Sequence, residues 1–403
     1  MKGHIRQRSK GSWTIWVDLG RDPETGKRKQ QTLTVRGSKK DAERELRNLL
    51  HSLEVGSYVK PSRITLGQWL EQWYQSYVAM HCSPRTAESY QSEVRRHIIP
   101  ALGAIPLTQF HPQHLQNYYG QALTNGRVDG RGGLSARTVQ YHHRILSEAL
   151  GYAVRMEVLA RNVAEAVDPP HPEHTSMATI APDDIPAFLA AIEKTHYYTL
   201  FYTALFTGMR RGELLALRWR NVDLDMATIS VTQTLHRLSN GQYMTRQPKS
   251  SKSRRQVDLP PSLALLLRRY KAEQEVERNL VGKPLADSDL VFCHPDGRPL
   301  DPGVLSHTFA KVLRKAGLPH IRFHDIRHTH ATLLLKAGIH PKIVSERLGH
   351  ASIGITLDTY SHVLPGLQKA AAERFDDMLE PRLVTEDVSK MLAKGSSLDS
   401  TGR

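Results

Sequence analysis

The sequence predicts a mainly α fold with small β elements. Apolar residues recur at helical spacing along most of the chain, and period-two alternation is confined to the first segment and to a stretch near residue 230. Turn- and proline-rich breaks at 56–63 and 169–174 divide the whole into three segments. The expected order is a small N-terminal β-sheet plus helix over 1–58, a helical bundle over 63–168 and a larger α-rich domain with a β-hairpin over 174–382. Residues 383–403, small and polar toward the end, are expected to be a disordered tail.

In the first segment Trp13, Ile15, Val17 and Leu19 alternate with Thr14, Trp16 and Asp18, as in a half-buried strand. Asp22-Pro23-Glu24-Thr25-Gly26 supplies a turn, and Thr32-Leu33-Thr34-Val35 the return strand. Ser38 and Asp41 resemble a capping box for a helix whose apolar face is Ala42, Leu46, Leu49, Leu50 and Leu53. In the second segment Leu66, Trp69, Leu70 and Trp73 recur at helical spacing. Ser83-Pro84 opens a helix to about His97, which Ile98-Ile99-Pro100-Ala101-Leu102-Gly103 is expected to break. Pro112 and Leu134-Ser135 open two more helices. The third segment is α-rich, interrupted by a strand-like stretch from Thr228 through Leu259.

The chain has 403 residues, of which 39% are hydrophobic, enough for sizeable cores. Its longest nearly apolar stretch, 197–209, is far short of the roughly 18 residues a membrane span needs. No apolar run follows the basic start, so no secretion signal is expected. The two cysteines, Cys82 and Cys293, form no CxxC, which argues against a disulfide framework and for a reducing cytoplasm. The formal charge is +15, and residues 1–60 hold fourteen Lys/Arg against seven Asp/Glu. Such an excess, concentrated on a small sheet, points to a polyanion, and a sheet of a few strands can lie in a DNA groove.

Four stretches of the third segment carry chemistry. They are Thr207-Gly208-Met209-Arg210-Arg211-Gly212-Glu213-Leu214; Pro248-Lys249-Ser250-Ser251-Lys252-Ser253-Arg254-Arg255; His324-Asp325-Ile326-Arg327-His328-Thr329-His330; and Leu348-Gly349-His350 with Tyr360 ten residues on. In this order and spacing they resemble the tyrosine recombinase (phage integrase) family. The first two segments resemble the arm-binding and core-binding domains of integrases from temperate phages and conjugative elements, so the resemblance covers nearly the whole chain.

The resemblance implies a site-specific recombinase that cuts and rejoins DNA through a 3′-phosphotyrosyl intermediate, with no metal, cofactor or ATP. Breaking a phosphodiester without a metal requires fixed positive charge, a nucleophile and an acid for the leaving oxygen. Arg210 and Arg327 would supply the charge, since a guanidinium matches two phosphate oxygens and keeps its proton. His324 stands three residues before Arg327 on a predicted helix, so both face one site. The family assigns phosphate contact and proton transfer to His324's position, and a phosphate hydrogen bond to that of His350. By the same resemblance Lys249 is the general acid, although Lys252 on the same hairpin could also reach the phosphate. Glu213 would steady the site, and Tyr360 would be the nucleophile. Gly212 stands where many members carry serine.

Ser83, Arg85, Thr86, Arg137, Thr138 and His142 fall near helix starts, where DNA phosphates could be met, although most of these residue types also serve as ordinary caps. Lys252, Arg254 and Arg255 belong to a run over 246–255 with five basic residues and no acid, suited to DNA or to a solvated turn. His324 and His328, four apart, could in principle hold zinc, but no HExxH glutamate or nearby cysteine completes a site, so His328 and His330 are read as packing or surface residues. Two other functions share parts of the pattern: a regulator that has lost cleavage, and a type IB topoisomerase-like enzyme that acts as a monomer. The full residue set argues against the first and the basic N-terminal domain against the second. The family implies double-stranded DNA with core and arm-type sites as partner, a homo-tetramer on paired sites, and helpers such as a host DNA-bending protein and an excisionase. It also implies a bacterial, nucleoid-associated location. An apolar stripe of Ala370, Ala371, Phe375, Met378 and Leu379 could pack on its own domain or on a neighbouring subunit.

Overall fold

The alternation around Trp13 does form a strand. In the computed structural model, which describes residues 3–21, 26, 28–54, 63–173, 177–247, 253–360, 372–373 and 375–378, β2 (Ser12–Arg21) is the centre of a three-stranded antiparallel sheet. It lies between β1 (Gly3–Ser9) and β3 (Arg28–Arg36). The edge strand β1 was not expected: Ile5 is its one aliphatic side chain, too little alternation to register in the sequence. Ile15 and Val17 point to one face and are fully buried. Helix α1 (Lys39–Glu54) packs on all three strands. Its start is the expected capping box: the Asp41 N–H donates to Ser38 Oγ at 3.3 Å, and the Ser38 N–H to Asp41 Oδ2 at 2.9 Å.

The chain divides into two compact units, 1–175 and 176–403. The first also holds the helical bundle. It runs α2 (Leu66–Trp73), a π-turn at Tyr74–Val78, α3 (Ala79–His81), α4 (Pro84–Glu93), a second π-turn at Val94–Ile98, α5 (Ile99–Leu102), α6 (Pro112–Asn125) and α7 (Ala136–Arg155). Thr65, Ser83 and Ser135 each accept an N–H from three residues on, which fixes where α2, α4 and α7 begin. The break expected at Ile98 does not occur there. The second π-turn already interrupts the regular hydrogen-bond ladder, so Pro100 follows it and the helix continues to Leu102. The bundle core gathers Trp69, Trp73, Tyr90, Ile98, Leu146 and Leu150.

The second unit begins with α8 (Ile185–Glu193), α9 (Tyr198–Thr207) and α10 (Arg211–Leu215). Strands β4 (Val222–Asp223), β5 (Thr228–Val231), β6 (Thr234–Arg237), β7 (Tyr243–Arg246) and β8 (Arg255–Asp258) follow. β4, β5 and β8 form one antiparallel sheet, and β6–β7 a separate hairpin inserted between β5 and β8. Then come α11 (Pro261–Leu280), α12 (Pro302–Lys315), α13 (Asp325–Lys336), α14 (Pro341–Leu348) and α15 (Ile353–Tyr360). The main core, with Phe188, Phe201, Phe309 and Phe323 inside, is distinct from a smaller cluster of Ala331, Leu335, Val344, Leu348 and Tyr360. No described helix is long and apolar enough to cross a membrane. Lys249, Lys252, most of the first linker and the tail 383–403 lie outside the described residues, as does most of the expected C-terminal stripe.

Candidate active site

The site is built around a helix whose first two turns are buried on all sides and yet mostly polar. Every residue of α13 from Asp325 to Thr332 is buried, including Arg327, His328, Thr329 and His330. Burying such groups without partners would cost several kcal/mol, so each long polar side chain has to find one. Arg327 donates Nη1–H to the Gly208 carbonyl at 2.9 Å and Nη2–H to that of Leu348 at 2.6 Å. Thr329 accepts the Ile180 N–H at 3.0 Å. His330 places Nδ1 2.8 Å from the Leu205 carbonyl, while Arg347 donates to its Nε2 at 3.2 Å. His328 places Nδ1 2.6 Å from the Tyr360 hydroxyl.

Gly208 ends α9 in the left-handed conformation, φ 63°, and turns the chain toward Arg210. A side chain there is excluded twice, by that φ and by space: a Cβ would lie 2.7 Å from His330 and 2.8 Å from Leu348. Arg210 then caps α10. Its N–H donates to Glu213 Oε2 at 2.9 Å and its Nη1–H to Oε1 at 2.8 Å. Glu213 is buried and also receives Arg255 Nη2–H at 2.9 Å. Burial alone would push its carboxyl up; the hydrogen bonds and charge of Arg255, then the charge of Arg210, outweigh that and hold it below the usual carboxylate value. Arg210 itself keeps 37% of its side chain exposed.

A cleft of about 510 Å³ gathers Arg210, His324, Arg327, His328, His350 and Tyr360, with Ser253 at the hairpin side. Five of the six residues the sequence singles out for chemistry therefore share one cavity, and the sixth, Lys249, lies outside the described residues. Burial, then the charges of Arg210 and Arg255, bring Arg327 down to about 9, which still leaves it charged at neutral pH. The surrounding protein, then Arg327 and Arg210, hold His324 below the usual histidine value. His350 follows the left-handed Gly349 and sets Nδ1 2.7 Å from Thr356 Oγ1, leaving Nε2 for a ligand in the cleft. Burial pushes the Tyr360 phenol up to about 12, against the opposing charge of Arg327. Two guanidinium groups, three imidazoles and a phenol around one cavity can bind a tetrahedral anion and present an oxygen nucleophile to it.

The expected DNA-contact residues divide. Arg85, Arg137 and Arg254 are exposed. Ser83 and Thr86 hydrogen-bond each other at the start of α4, as Ser135 and Thr138 do at α7, so these hydroxyls serve as caps. Arg255 departs from its expected place on the DNA. It is 5% exposed and turned inward, bound to Glu213 and, through Nε–H at 2.7 Å, to the Arg347 carbonyl. His142 also departs: it is fully buried between Tyr118 and Glu93. His328, read in the sequence as packing or surface, is the residue that sequence reasoning missed. Its one signal was position, four residues after His324 and next to Arg327 on the same helix.

The glycine at 212 has a local cause. A Cβ there would run into Thr234 Oγ1 of β6 and lie 2.9 Å from the Leu235 carbonyl. Gly212→Ser should therefore destabilise the protein by about 1–3 kcal/mol despite serine's better helix propensity, as overpacking does. Urea unfolding checks this, and an unchanged midpoint would show that β6 moves aside freely.

The buried imidazoles set a pH dependence. Burial, with the charge of His324, takes His328 to about 4; burial and Arg347 take His330 to about 3; burial, Arg327 and Arg210 take His350 to about 3. Below the ordinary value of about 6.5 the unfolded chain binds protons that the native site refuses, so stability present at neutral pH is lost as pH falls from about 6.5 toward 4. His328 and His330, the two most buried of these three, should each weaken stability by up to about 1.4 kcal/mol per pH unit in that window. The melting temperature of the full chain should fall steadily from pH 7 to pH 5, and a flat profile would contradict neutral buried imidazoles.

Known proteins resemble this chain in sequence and in fold. The phage integrase family matches residues 178–366, and the N-terminal SAM-like domain of phage integrases matches residues 65–121. A tyrosine recombinase XerC-like protein of Caldanaerobacter subterraneus subsp. tengcongensis is 30% identical over 395 residues, spanning 94% of this chain and 99% of that one. The Tn1549 transposon integrase, solved in complex with transposon right end DNA, superposes with a TM-score of 0.64 at 21% identity, covering 77% of this chain and 99% of that one. The lambda integrase tetramer bound to a Holliday junction gives 0.52 at 19% identity, covering 86% and 95%.

Proposed function

Because the chain belongs to the phage integrase family of tyrosine recombinases, we propose that Tyr360 is the residue with which it cuts and rejoins DNA. The observation that supports this most is the Tyr360 hydroxyl sharing one cleft with Arg210, Arg327, His324 and His350. The chain is a site-specific DNA recombinase. Arg210 and Arg327 bind the two non-bridging oxygens of the scissile phosphate, with His350 Nε2 as a further donor. Tyr360 Oη bonds to phosphorus as the bond from phosphorus to the 5′-oxygen breaks. The leaving oxygen takes a proton from Lys249, and the product is a 3′-phosphotyrosyl linkage beside a free 5′-hydroxyl. Attack by another 5′-hydroxyl reverses each step, so the strand is resealed without ATP.

With its phenol near 12, Tyr360 is protonated at rest. Ionising it at pH 7 before attack would cost on the order of 7 kcal/mol, so the proton leaves as the new bond forms. It passes to His324, which is held below the usual histidine value and to which the family assigns proton transfer, and it returns from there on resealing. The guanidinium pair supplies the charge that a metal provides in other nucleases, and the reading calls on none.

The partner is double-stranded DNA. The open face of the N-terminal sheet carries Arg6, Arg8, Thr14, Trp16, Thr32 and Thr34 along a shallow concavity, opposite the face that buries Ile15 and Val17. That polar, basic face suits a groove of an arm-type site, and the bundle suits the core site. A second DNA-binding head lets one protein bridge two segments. Assembly as a homo-tetramer on paired sites in the bacterial cytoplasm completes the proposal, with a host bending protein and an excisionase setting direction.

The test joins two labelled duplexes, carrying the ends of the mobile element and its insertion site, with the full chain in EDTA and without ATP. Recombinant duplex is the expected product. Binding of both sites with no strand joining would overturn the proposal.

A further inference from the structure

We infer that His328 is a positioning residue for the nucleophile, holding the Tyr360 hydroxyl in place through its Nδ1. The inference rests on Tyr360 as the attacking residue and concerns how that oxygen is aimed.

The phenol oxygen lies 2.6 Å from His328 Nδ1, with the two rings 5.7 Å apart at 52°. Both residues are buried, so the contact is not shared with bulk water. Its direction follows from the environment. Burial and His324 take the imidazole down to about 4, while burial takes the phenol up to about 12. The imidazole is therefore neutral and the phenol keeps its proton. Of the two pairings this allows, a phenol O–H donating to an imidazole nitrogen is the stronger and the better fit to a 2.6 Å contact, so Nδ1 accepts and the imidazole proton sits on Nε2. Proton transfer across this bond is disfavoured by many powers of ten in the resting site, so His328 orients the phenol rather than ionising it.

Placement on the fold makes the bond useful. His328 directly follows Arg327 on α13, and its ring meets that of His324 edge-on at 5.3 Å. One rigid helix thus carries two of the groups that face the phosphate, His324 and Arg327, and the group that fixes the attacking oxygen. The distance between nucleophile and phosphorus is then set by α13, not by α15 alone. Tyr360 is the last residue of α15, and its other restraint is packing in the small cluster with Leu335, Val344 and Leu348. Apolar packing places a ring without choosing where its oxygen points; a 2.6 Å acceptor does choose.

Three substitutions separate this role from a structural one. Asparagine sets Oδ1 near the position of Nδ1, glutamine reaches toward that of Nε2, and leucine fills the space with no acceptor. Single-turnover adduct formation on a nicked DNA substrate should slow at least tenfold in His328→Leu and His328→Gln. It should return to within a few-fold of wild type in His328→Asn, with DNA affinity unchanged in all three. Wild-type rates in His328→Leu, or an Asn variant as slow as the Leu variant while DNA binding holds, would overturn the inference. Should the variants fold poorly, imidazole ¹⁵N spectra of the unaltered chain decide. The histidine whose signals move on Tyr360→Phe should be the Nε2–H tautomer, and an Nδ1–H tautomer would overturn it. Tyr360→Phe in the adduct assay also separates the two readings: an adduct that survives it removes Tyr360 as nucleophile, whatever His328 does.

Discussion

Tyr360→Phe should lose covalent adduct formation by on the order of 10⁴-fold or more, the scale on which removing a nucleophile acts elsewhere. Among the described residues that line the cleft, the other hydroxyls, Ser253 and Thr359, are aliphatic alcohols, weaker acids than a phenol, and neither is buried. The substitution therefore takes away the one buried hydroxyl oxygen beside Arg210 and Arg327. DNA affinity should stay within a few-fold, because Arg210, Arg327 and His350 do not depend on the phenol for their own hydrogen bonds. Folding should weaken slightly, by about 1–2 kcal/mol, since His328 Nδ1 loses its donor in a buried site. Adduct yield on a nicked substrate, beside a binding isotherm and an unfolding curve, reads all three. Unchanged yield would remove Tyr360 from the chemistry.

The two arginines should fail in different ways. Arg210→Ala and Arg327→Ala are each expected to slow cleavage by about 10²–10³-fold, the usual consequence of deleting one preorganised donor at a charged transition state. Their effects on folding should diverge. Arg327 is buried and satisfies two backbone carbonyls, Gly208 and Leu348, which tie the end of α9 and the end of α14 to α13. Removing it leaves both unpaired in the interior, at about 1–3 kcal/mol apiece. Arg210 is partly exposed, and its partner Glu213 keeps Arg255 when Arg210 goes. Arg327→Ala should therefore lower the melting temperature clearly and Arg210→Ala only slightly, at similar losses of rate. Equal destabilisation by both would contradict the division of labour between a framework arginine and an open one.

Much of the fold was legible because local rules and tertiary packing agree. Ser38 with Asp41, Ser83 before Pro84, and Ser135 all mark helix starts that the structure keeps. The alternation through Ile15 and Val17 reads directly as one buried sheet face. The cluster of Arg210, His324, Arg327, His350 and Tyr360 was legible from the order of its motifs, not from any one of them. What escaped were contacts made over distance. Arg255 looks like one more cation in a basic run, and only the fold shows it committed to a carbonyl 92 residues away. His328 meets Tyr360 across 32 residues, and His142 meets Glu93 across 49. No local pattern states which buried polar atoms will face one another. The π-turns were hidden for a related reason, since a single extra residue in a helical turn leaves the apolar spacing almost unchanged.

The central claim, that Tyr360 carries the DNA strand, is tested most directly by locating the covalent bond. The full chain is trapped on a nicked substrate in EDTA, the adduct digested, and the nucleotide-bearing peptide sequenced by mass spectrometry. The expected result is a 3′-phosphonucleotide on Tyr360 and nowhere else. A nucleotide on another residue, or no adduct despite clear binding to that DNA, would contradict it.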